Sequence, residues 1–147
     1  MINESDNYFE RLKYHPRERL WIAILPATNS DIEIYIQGSE SLVSNEHLLR
    51  AKNILTEFER LNKLALDRIN AWLKADFIEK LILSRIHVFD DVYSVTASPV
   101  SFIFTYEYGY ENATDIHASR GLYLFCNMYS VKFLENGNVL SAESWFM

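Results

Sequence analysis

The segment from Val100 to Glu111 reads VSFIFTYEYGYE, and an aromatic residue occupies every second position from Phe102 onward. Successive side chains of a β-strand point to opposite faces, so this alternation predicts a strand. One face would carry the aromatic rings of Phe102, Phe104, Tyr106, Tyr108 and Tyr110. The other face would carry Ile103, Thr105, Glu107, Gly109 and Glu111. We therefore expect the C-terminal half to be built around a strand with one aromatic face.

Along this aromatic face, phenylalanine gives way to tyrosine. A Phe ring can be fully buried, whereas a Tyr hydroxyl needs water or a hydrogen-bond partner. The change predicts a strand that begins in the core and ends at the edge of the protein, where Tyr108 and Tyr110 would lie beside Glu111 and Asp115. Tyrosine flanked by carboxylates offers contact area and pairing with Arg or Lys of a partner protein. The alternative is that these tyrosines only complete the core.

Further strands are predicted on both sides of this segment. In the C-terminal half, runs rich in β-branched and aromatic residues predict strands at Leu81–Phe89, Val92–Ala97, Leu122–Leu134 and Val139–Trp145. The long run Leu122–Leu134 is expected to contain a bend, or to form two strands, around Asn127. The dipeptide Asn136-Gly137 is a strong signal for a two-residue hairpin turn. Near the N-terminus, Leu20–Pro26 and Ile32–Gln37 flank the turn-like PATNSD and predict a hairpin.

A helix is predicted between the hairpin and the later strands, from about Glu46 to Lys74, with a break near Asn62 as an option. Its apolar stripe, spaced by three or four residues, comprises Ala51, Leu55, Phe58, Leu61, Ala65, Ile69 and Trp72. The order β-β-α-β-β-β-β-β predicts an α+β fold. We expect an antiparallel sheet of about six or seven strands, covered by one long helix or a helix pair, in one domain over residues 1–147.

The composition predicts an ordinary globular chain in a reducing compartment. The single cysteine, Cys126, rules out an intramolecular disulfide, which is typical of cytoplasmic proteins. The first 20 residues are polar and lack the apolar region of a signal peptide. No apolar run approaches the roughly 20 residues of a membrane span. We therefore expect a cytoplasmic protein.

The net charge of −6 lies mostly in the second half of the chain. Residues 76–147 contain nine acidic residues and four Lys or Arg, a balance of −5, and no Lys or Arg lies between Arg85 and Arg120. Such a surface repels nucleic acid and anionic membranes and attracts basic proteins. The alternative is a solvated acidic rim. The predicted partner-binding residues are Asp90, Asp91, Tyr106, Glu107, Tyr108, Tyr110, Glu111 and Asp115.

Catalytic and cofactor-binding motifs are missing from the sequence. The four histidines stand singly, without the HxH, HExxH or CxxC spacing of a metal site. Asp115, His117 and Cys126 could be combined into a nucleophile set, but Cys126 lies in the apolar run LYLFC, where a buried thiol is inert. The chain also lacks GxSxG, GxxxxGK[ST] and GxGxxG. We expect no enzyme activity, no metal and no cofactor.

The acidic, aromatic C-terminal half, ending in NGNVLSAESWFM, resembles bacterial immunity proteins of polymorphic toxin systems, including those of contact-dependent growth inhibition. The resemblance is one of type and carries over no individual residues. It implies a protein that binds a cognate toxin domain and blocks its active site. Two other functions stay open: an interaction or scaffold domain, monomeric or homodimeric, and a small-ligand or hydrolytic domain near His117 and Tyr110.

Overall fold

The fold is α+β, as the sequence predicts. The computed structural model describes residues 8–27, 31–73, 81–90, 100–108 and 126–146. A short 3-10 helix, Tyr8–Arg11, precedes the first strand. The strands are β1 Lys13–His15, β2 Leu20–Leu25, β3 Ile32–Ile36, β4 Leu81–Val88, β5 Phe102–Tyr108, β6 Cys126–Phe133 and β7 Val139–Phe146. The helices are α1 Asn45–Thr56 and α2 Phe58–Leu73.

The seven strands form one mixed sheet in the order β1-β2-β3-β4-β5-β6-β7. Every neighbouring pair is antiparallel except β3 and β4, which are parallel and place Tyr35 beside His87. The prediction of a purely antiparallel sheet is therefore wrong at this pair. The reason is the helical connection: α1 and α2 carry the chain back along the sheet, so β4 enters in the direction of β3.

The predicted element order also needs correction at the N-terminus. The hairpin of β2 and β3 is confirmed, with Ala23 opposite Ile34. An additional strand, β1, precedes it and pairs with β2, although its sequence, Lys-Tyr-His, carries too little pattern to predict a strand. The predicted strand at Val92–Ala97 lies outside the described residues.

The helical segment consists of two helices rather than one continuous rod. The break falls at Glu57, five positions before the predicted Asn62, where the backbone leaves the helical region at φ −104° and ψ 19°. Ser44 caps the start of α1, where its Oγ accepts a 3.4 Å hydrogen bond from the His47 amide. The described part of the predicted stripe faces the core, and its buried members are Ala51, Leu61, Ala65 and Ile69. The Trp72 side chain lies outside the described residues. Among the described residues, no helix is long and apolar enough to cross a membrane.

The core lies between the helices and one face of the sheet. Its centre is a cluster of aromatic rings, in which Phe133 stacks on Phe102 with 4.7 Å between ring centroids and meets Phe104 at 5.1 Å. Phe58 of α2 reaches Phe104 from above at 6.1 Å. We call the opposite side of the sheet, turned away from α1 and α2, the outer face. The alternation of β5 is confirmed, because Phe102, Phe104 and Tyr106 are buried in this core and the intervening residues lie on the outer face.

Candidate functional site

The residues predicted to bind a partner are not gathered at one surface in the described part of the chain. Tyr106 lies in the core, 1% exposed, and its hydroxyl donates a 2.6 Å hydrogen bond to Asn62 Oδ1 of α2. Burial raises the pKa of Tyr106 far above its ordinary value. Tyr106 therefore contributes to the core and offers no contact surface, because the sheet buries its aromatic face further along β5 than the change from Phe to Tyr suggests.

The other predicted residues lie in different places. Glu107 is half-buried on the outer face, and Asp90 is exposed just after the end of β4. Tyr108 belongs to β5 by its backbone, and its side chain lies outside the description. The rest of the set lies outside the described residues, namely Asp91, Tyr110, Glu111 and Asp115.

Asp90 takes part in a polar cluster at the start of α1. Its Oδ2 lies 3.2 Å from His47 Nε2, without hydrogen-bond geometry, and the other ring nitrogen, Nδ1, lies 2.5 Å from Ser44 Oγ. The series Ser-His-Asp has the residue types of a nucleophilic triad. In a triad, however, Nε2 faces the serine and Nδ1 the aspartate, which is the reverse of this arrangement. Ser44 Oγ also caps α1 by accepting a hydrogen bond from the His47 amide. We therefore interpret the cluster as a structural contact that joins the start of α1 to the segment after β4.

Arg50 completes this contact. Its Nη1 donates to the carbonyl oxygens of Phe89 and Ser101, both at 3.1 Å, and its Nη2 lies 3.3 Å from Asp90 Oδ1. One guanidinium thus joins α1 to the segment after β4 and the segment before β5. Asp90 is half exposed but already engaged by two side chains of α1.

The outer face carries a different feature, a cavity of about 770 Å³. It lies over the central strands β3 to β6, and its polar groups are few. Among the described residues, its lining comprises Leu20, Tyr35, Gln37, Arg85, His87, Val88, Phe89, Ile103, Thr105, Met128 and Ser130. Binding sites for small molecules typically have volumes of about 300–1,000 Å³ and a mostly apolar lining with a few polar groups. The cavity meets both criteria.

A stacked pair of rings stands on the floor of the cavity. Tyr35 and His87 are neighbours across the parallel strands, and their ring centroids are 4.6 Å apart with planes inclined by 16°. Burial first, and then the nearby Arg85, lower the pKa of His87 to about 4 against an opposing effect of Glu33. The imidazole is therefore neutral at physiological pH.

Tyr35 is held in place by its neighbours on both strands. Its hydroxyl donates a 2.7 Å hydrogen bond to Glu33 Oε2, and the guanidinium carbon of Arg85 lies 5.8 Å from the centre of its ring. The latter distance is within the range of a cation–π contact. Burial, with the hydrogen bond to Glu33, raises the pKa of Tyr35 to about 12. Tyr35 thus remains a protonated, oriented phenol.

Hydroxyl and amide groups supply the remaining polarity of the cavity. Thr105 Oγ1 and Ser130 Oγ lie 3.2 Å apart across β5 and β6, and both residues are buried. Gln37 Oε1 accepts a 2.9 Å hydrogen bond from the Asp90 amide. The cavity therefore combines one cation, one neutral imidazole and a hydroxyl pair with apolar walls.

Sequence reasoning missed this site because the site depends on strand pairing. The alternation of Ile32–Gln37 does place Tyr35 and Gln37 on one face, and that signal was available. Nothing in the sequence, however, indicated that β4 would lie parallel to β3 and bring Arg85 and His87 beside them.

No protein-family model, no curated protein and no solved structure matches this chain. Within the ranges described above, no group of three or more His, Cys, Asp or Glu side chains is arranged to hold a metal ion.

Proposed function

We propose that this protein is a non-catalytic binding domain and that the outer-face cavity is the site where it holds a small molecule. The observation that carries the proposal is the cavity itself, about 770 Å³ in volume and built mainly by side chains on β3, β4, β5 and β6 or at their ends. Sites placed on strands are held more precisely than sites on loops.

The polar groups of the cavity support binding by their fixed orientation. Tyr35 is tied to Glu33, stacks on His87 and lies under Arg85. Groups that are already ordered lose little conformational entropy when a ligand arrives, and this raises affinity without additional contacts.

A cavity-filling substitution tests this proposal. Ile103 lines the cavity from β5, and Ile103→Trp would occupy part of its volume. Ile24→Trp is a matched control, because Ile24 lies on the outer face of β2, is 55% exposed and does not line the cavity. Both variants should remain folded, and only the first should lose ligand binding.

The measurement is a small-molecule fragment screen followed by amide chemical-shift mapping. We expect hits to shift the amides of Tyr35, His87 and Thr105, to disappear with Ile103→Trp, and to persist with Ile24→Trp. The proposal fails when no fragment shifts these amides, or when the hits bind Ile103→Trp as well as they bind the unsubstituted protein.

A second candidate function is neutralisation of a cationic toxin in the cytoplasm, as the resemblance to immunity proteins implies. The observation that favours it is the charge balance of −5 over residues 76–147. Within the described part of the predicted surface, Glu107 is the acidic side chain that no described ion pair engages. Complementary charge raises the association rate of a basic partner and makes it sensitive to salt.

Toxin protection tests this second candidate. The gene next to this one would be examined for a toxin domain, and cells expressing that domain would be scored for survival with each variant. Glu107→Gln should slow association and reduce protection, whereas Glu40→Gln, an exposed acid of the first half, should not. A neighbouring gene without a toxin domain, or full protection by Glu107→Gln at low expression, counts against this candidate.

A further inference from the structure

We infer that the ligand of the outer-face cavity is an apolar carboxylate, whose head group pairs with Arg85 and whose body packs on the apolar walls. This inference rests on the proposed binding function and adds the chemical class of the ligand.

Arg85 is the only cationic side chain among the described lining residues. It is half-buried on β4, in surroundings made mainly of apolar and uncharged groups. An arginine stays protonated in proteins, so the cavity contains a permanent positive charge. In a partly buried, mostly apolar site, such a charge interacts more strongly with an anion than it would in bulk water.

The other partly buried cations of the described sheet and helices already have carboxylate partners. Arg50 pairs with Asp90 and Glu46, and Lys132 lies 2.8 Å from Glu143. Arg85 differs, because no carboxylate of the described residues forms an ion pair with it. A partly buried cation without a counter-charge loses some of its hydration without compensation, and a bound anion would offset that loss.

The acidic residue paired with Arg85 across the sheet already accepts a hydrogen bond from another side chain. Glu33 is the register partner of Arg85 on β3, yet its Oε2 accepts the 2.7 Å hydrogen bond from the Tyr35 hydroxyl. The Arg85 guanidinium carbon lies over the Tyr35 ring, 5.8 Å from its centre. A cation–π contact does not use up the hydrogen-bonding capacity of a guanidinium, whose paired N–H groups match the two oxygens of a carboxylate.

The remaining lining residues indicate a ligand with a single negative charge and an apolar body. His87 is neutral at physiological pH, so Arg85 provides the only positive charge that the described lining offers. Apolar side chains from four strands or their ends form the walls, namely Leu20, Phe89, Ile103 and Met128. A ligand with one carboxylate and an aliphatic or aromatic body satisfies both conditions.

The test compares ligands that share a body and differ in the head group. Octanoate, octan-1-ol and octylammonium form the aliphatic series, and 2-naphthoate, 2-naphthol and 2-naphthylmethylammonium form the aromatic series. Dissociation constants are measured by amide chemical-shift titration at pH 7.5. In at least one series, we expect the carboxylate to bind about tenfold or more tightly than the alcohol, because a hydrogen bond to a charged group contributes this much. The ammonium compound should bind most weakly.

Variants of Arg85 then test whether its guanidinium causes the preference for the carboxylate over the alcohol. Arg85→Met keeps a long side chain without charge and should weaken carboxylate binding by about tenfold or more, while leaving the alcohol unchanged. Arg85→Lys keeps the charge without the two-pronged geometry and should give an intermediate affinity. Lys132→Met is the control, since Lys132 lies on the same face, is paired with Glu143 and does not line the cavity.

Failure of this inference can be distinguished from failure of the proposed function. Equal affinity for carboxylate and alcohol at the cavity amides, or a carboxylate preference that persists in Arg85→Met, overturns the inference and leaves the binding site in place. Binding of none of the six compounds, together with a fragment screen without hits at the cavity, overturns both.

Discussion

The rings of Tyr35 and His87 stack 4.6 Å apart on the outer face, across the only parallel strand pair among the described strands. This contact removes the imidazole from water on one side, and burial lowers its pKa from 6.5 to about 4. The folded state therefore favours the neutral form of His87 over the protonated form. Protonation of the His87 imidazole therefore destabilises the folded protein.

Acid should accordingly destabilise the protein through His87. Because the folded-state pKa lies below the unfolded value, the contribution is complete above pH 6.5 and is lost as the pH falls from 6.5 through 4. We expect the free energy of unfolding to drop by roughly 2–3 kcal/mol more in the unsubstituted protein than in His87→Phe between pH 7.5 and 4.5. Urea titrations at both pH values measure this difference.

His15→Gln is the control for this experiment, because the His15 side chain is about half exposed. It should follow the unsubstituted protein at both pH values. An equal loss of stability in His87→Phe and in the unsubstituted protein would show that other groups cause the acid sensitivity.

Much of the fold could be predicted from local patterns, because those patterns depend on neighbours along the chain. The alternation in β3 and β5 and the three-to-four spacing in the helices each record which side of an element is buried. The hairpin at Asn136-Gly137 is confirmed, but its loop has three residues rather than the predicted two. The amide of Leu134 donates to Asn138 O, the amide of Gly137 donates to Leu134 O, and Gly137 takes φ +84°. Strand order and direction depend instead on long-range pairing, so the parallel contact of β3 with β4 could not be predicted.

The candidate site was harder to predict for the same reason. Its polar residues come from four strands, and the pairing of Tyr35 with His87 joins positions 52 residues apart in sequence. Tyr106 illustrates the opposite error. Its polar hydroxyl suggested a surface, but a hydrogen-bond acceptor on α2 allows full burial. Whether a buried acceptor exists is decided by tertiary packing and cannot be read from the strand alone.

The hydrogen bond between Tyr106 and Asn62 should stabilise the contact between β5 and α2. Tyr106→Phe removes the donor and leaves the Asn62 Oδ1 oxygen without its 2.6 Å partner, which should cost about 1–2 kcal/mol in the free energy of unfolding. Asn62→Ala and the double variant complete a double-mutant cycle in urea. A coupling energy near zero would contradict a direct bond.

Two glycines are expected to resist substitution for different reasons. A Cβ on Gly38 would lie 2.7 Å from Val43 Cα and 2.8 Å from Trp21 Cδ1, so backbone must move. Gly137 has room except for the mobile end of Arg60, but its φ of +84° disfavours side chains. We expect Gly38→Ala to cost about 2–3 kcal/mol and Gly137→Ala about 1 kcal/mol.

Asparagine distinguishes these two causes in thermal and urea unfolding, because it tolerates positive φ but is larger than alanine. Gly137→Asn should be more stable than Gly137→Ala, whereas Gly38→Asn should be less stable than Gly38→Ala. The reverse order at either position would contradict the cause assigned to it.

Arg50 should be the most important cation of the described structure for stability. Its side chain is 16% exposed, and it donates to the carbonyl oxygens of Phe89 and Ser101 at 3.1 Å. Arg50→Met removes the Arg50 donor from both carbonyl oxygens and leaves Ser101 O with only the 3.5 Å hydrogen bond from the Phe89 amide. It should lower the free energy of unfolding by about 2–4 kcal/mol. Arg60→Met is the matched control: Arg60 is about half exposed, pairs with Glu57 on the helix surface and should change stability by less than about 1 kcal/mol. Equal effects of the two substitutions in urea unfolding would show that the carbonyl contacts do not stabilise the protein. The expected difference has a consequence for Asp90, which pairs with Arg50. Binding assays on Asp90 variants must then be corrected for the stability that those variants lose.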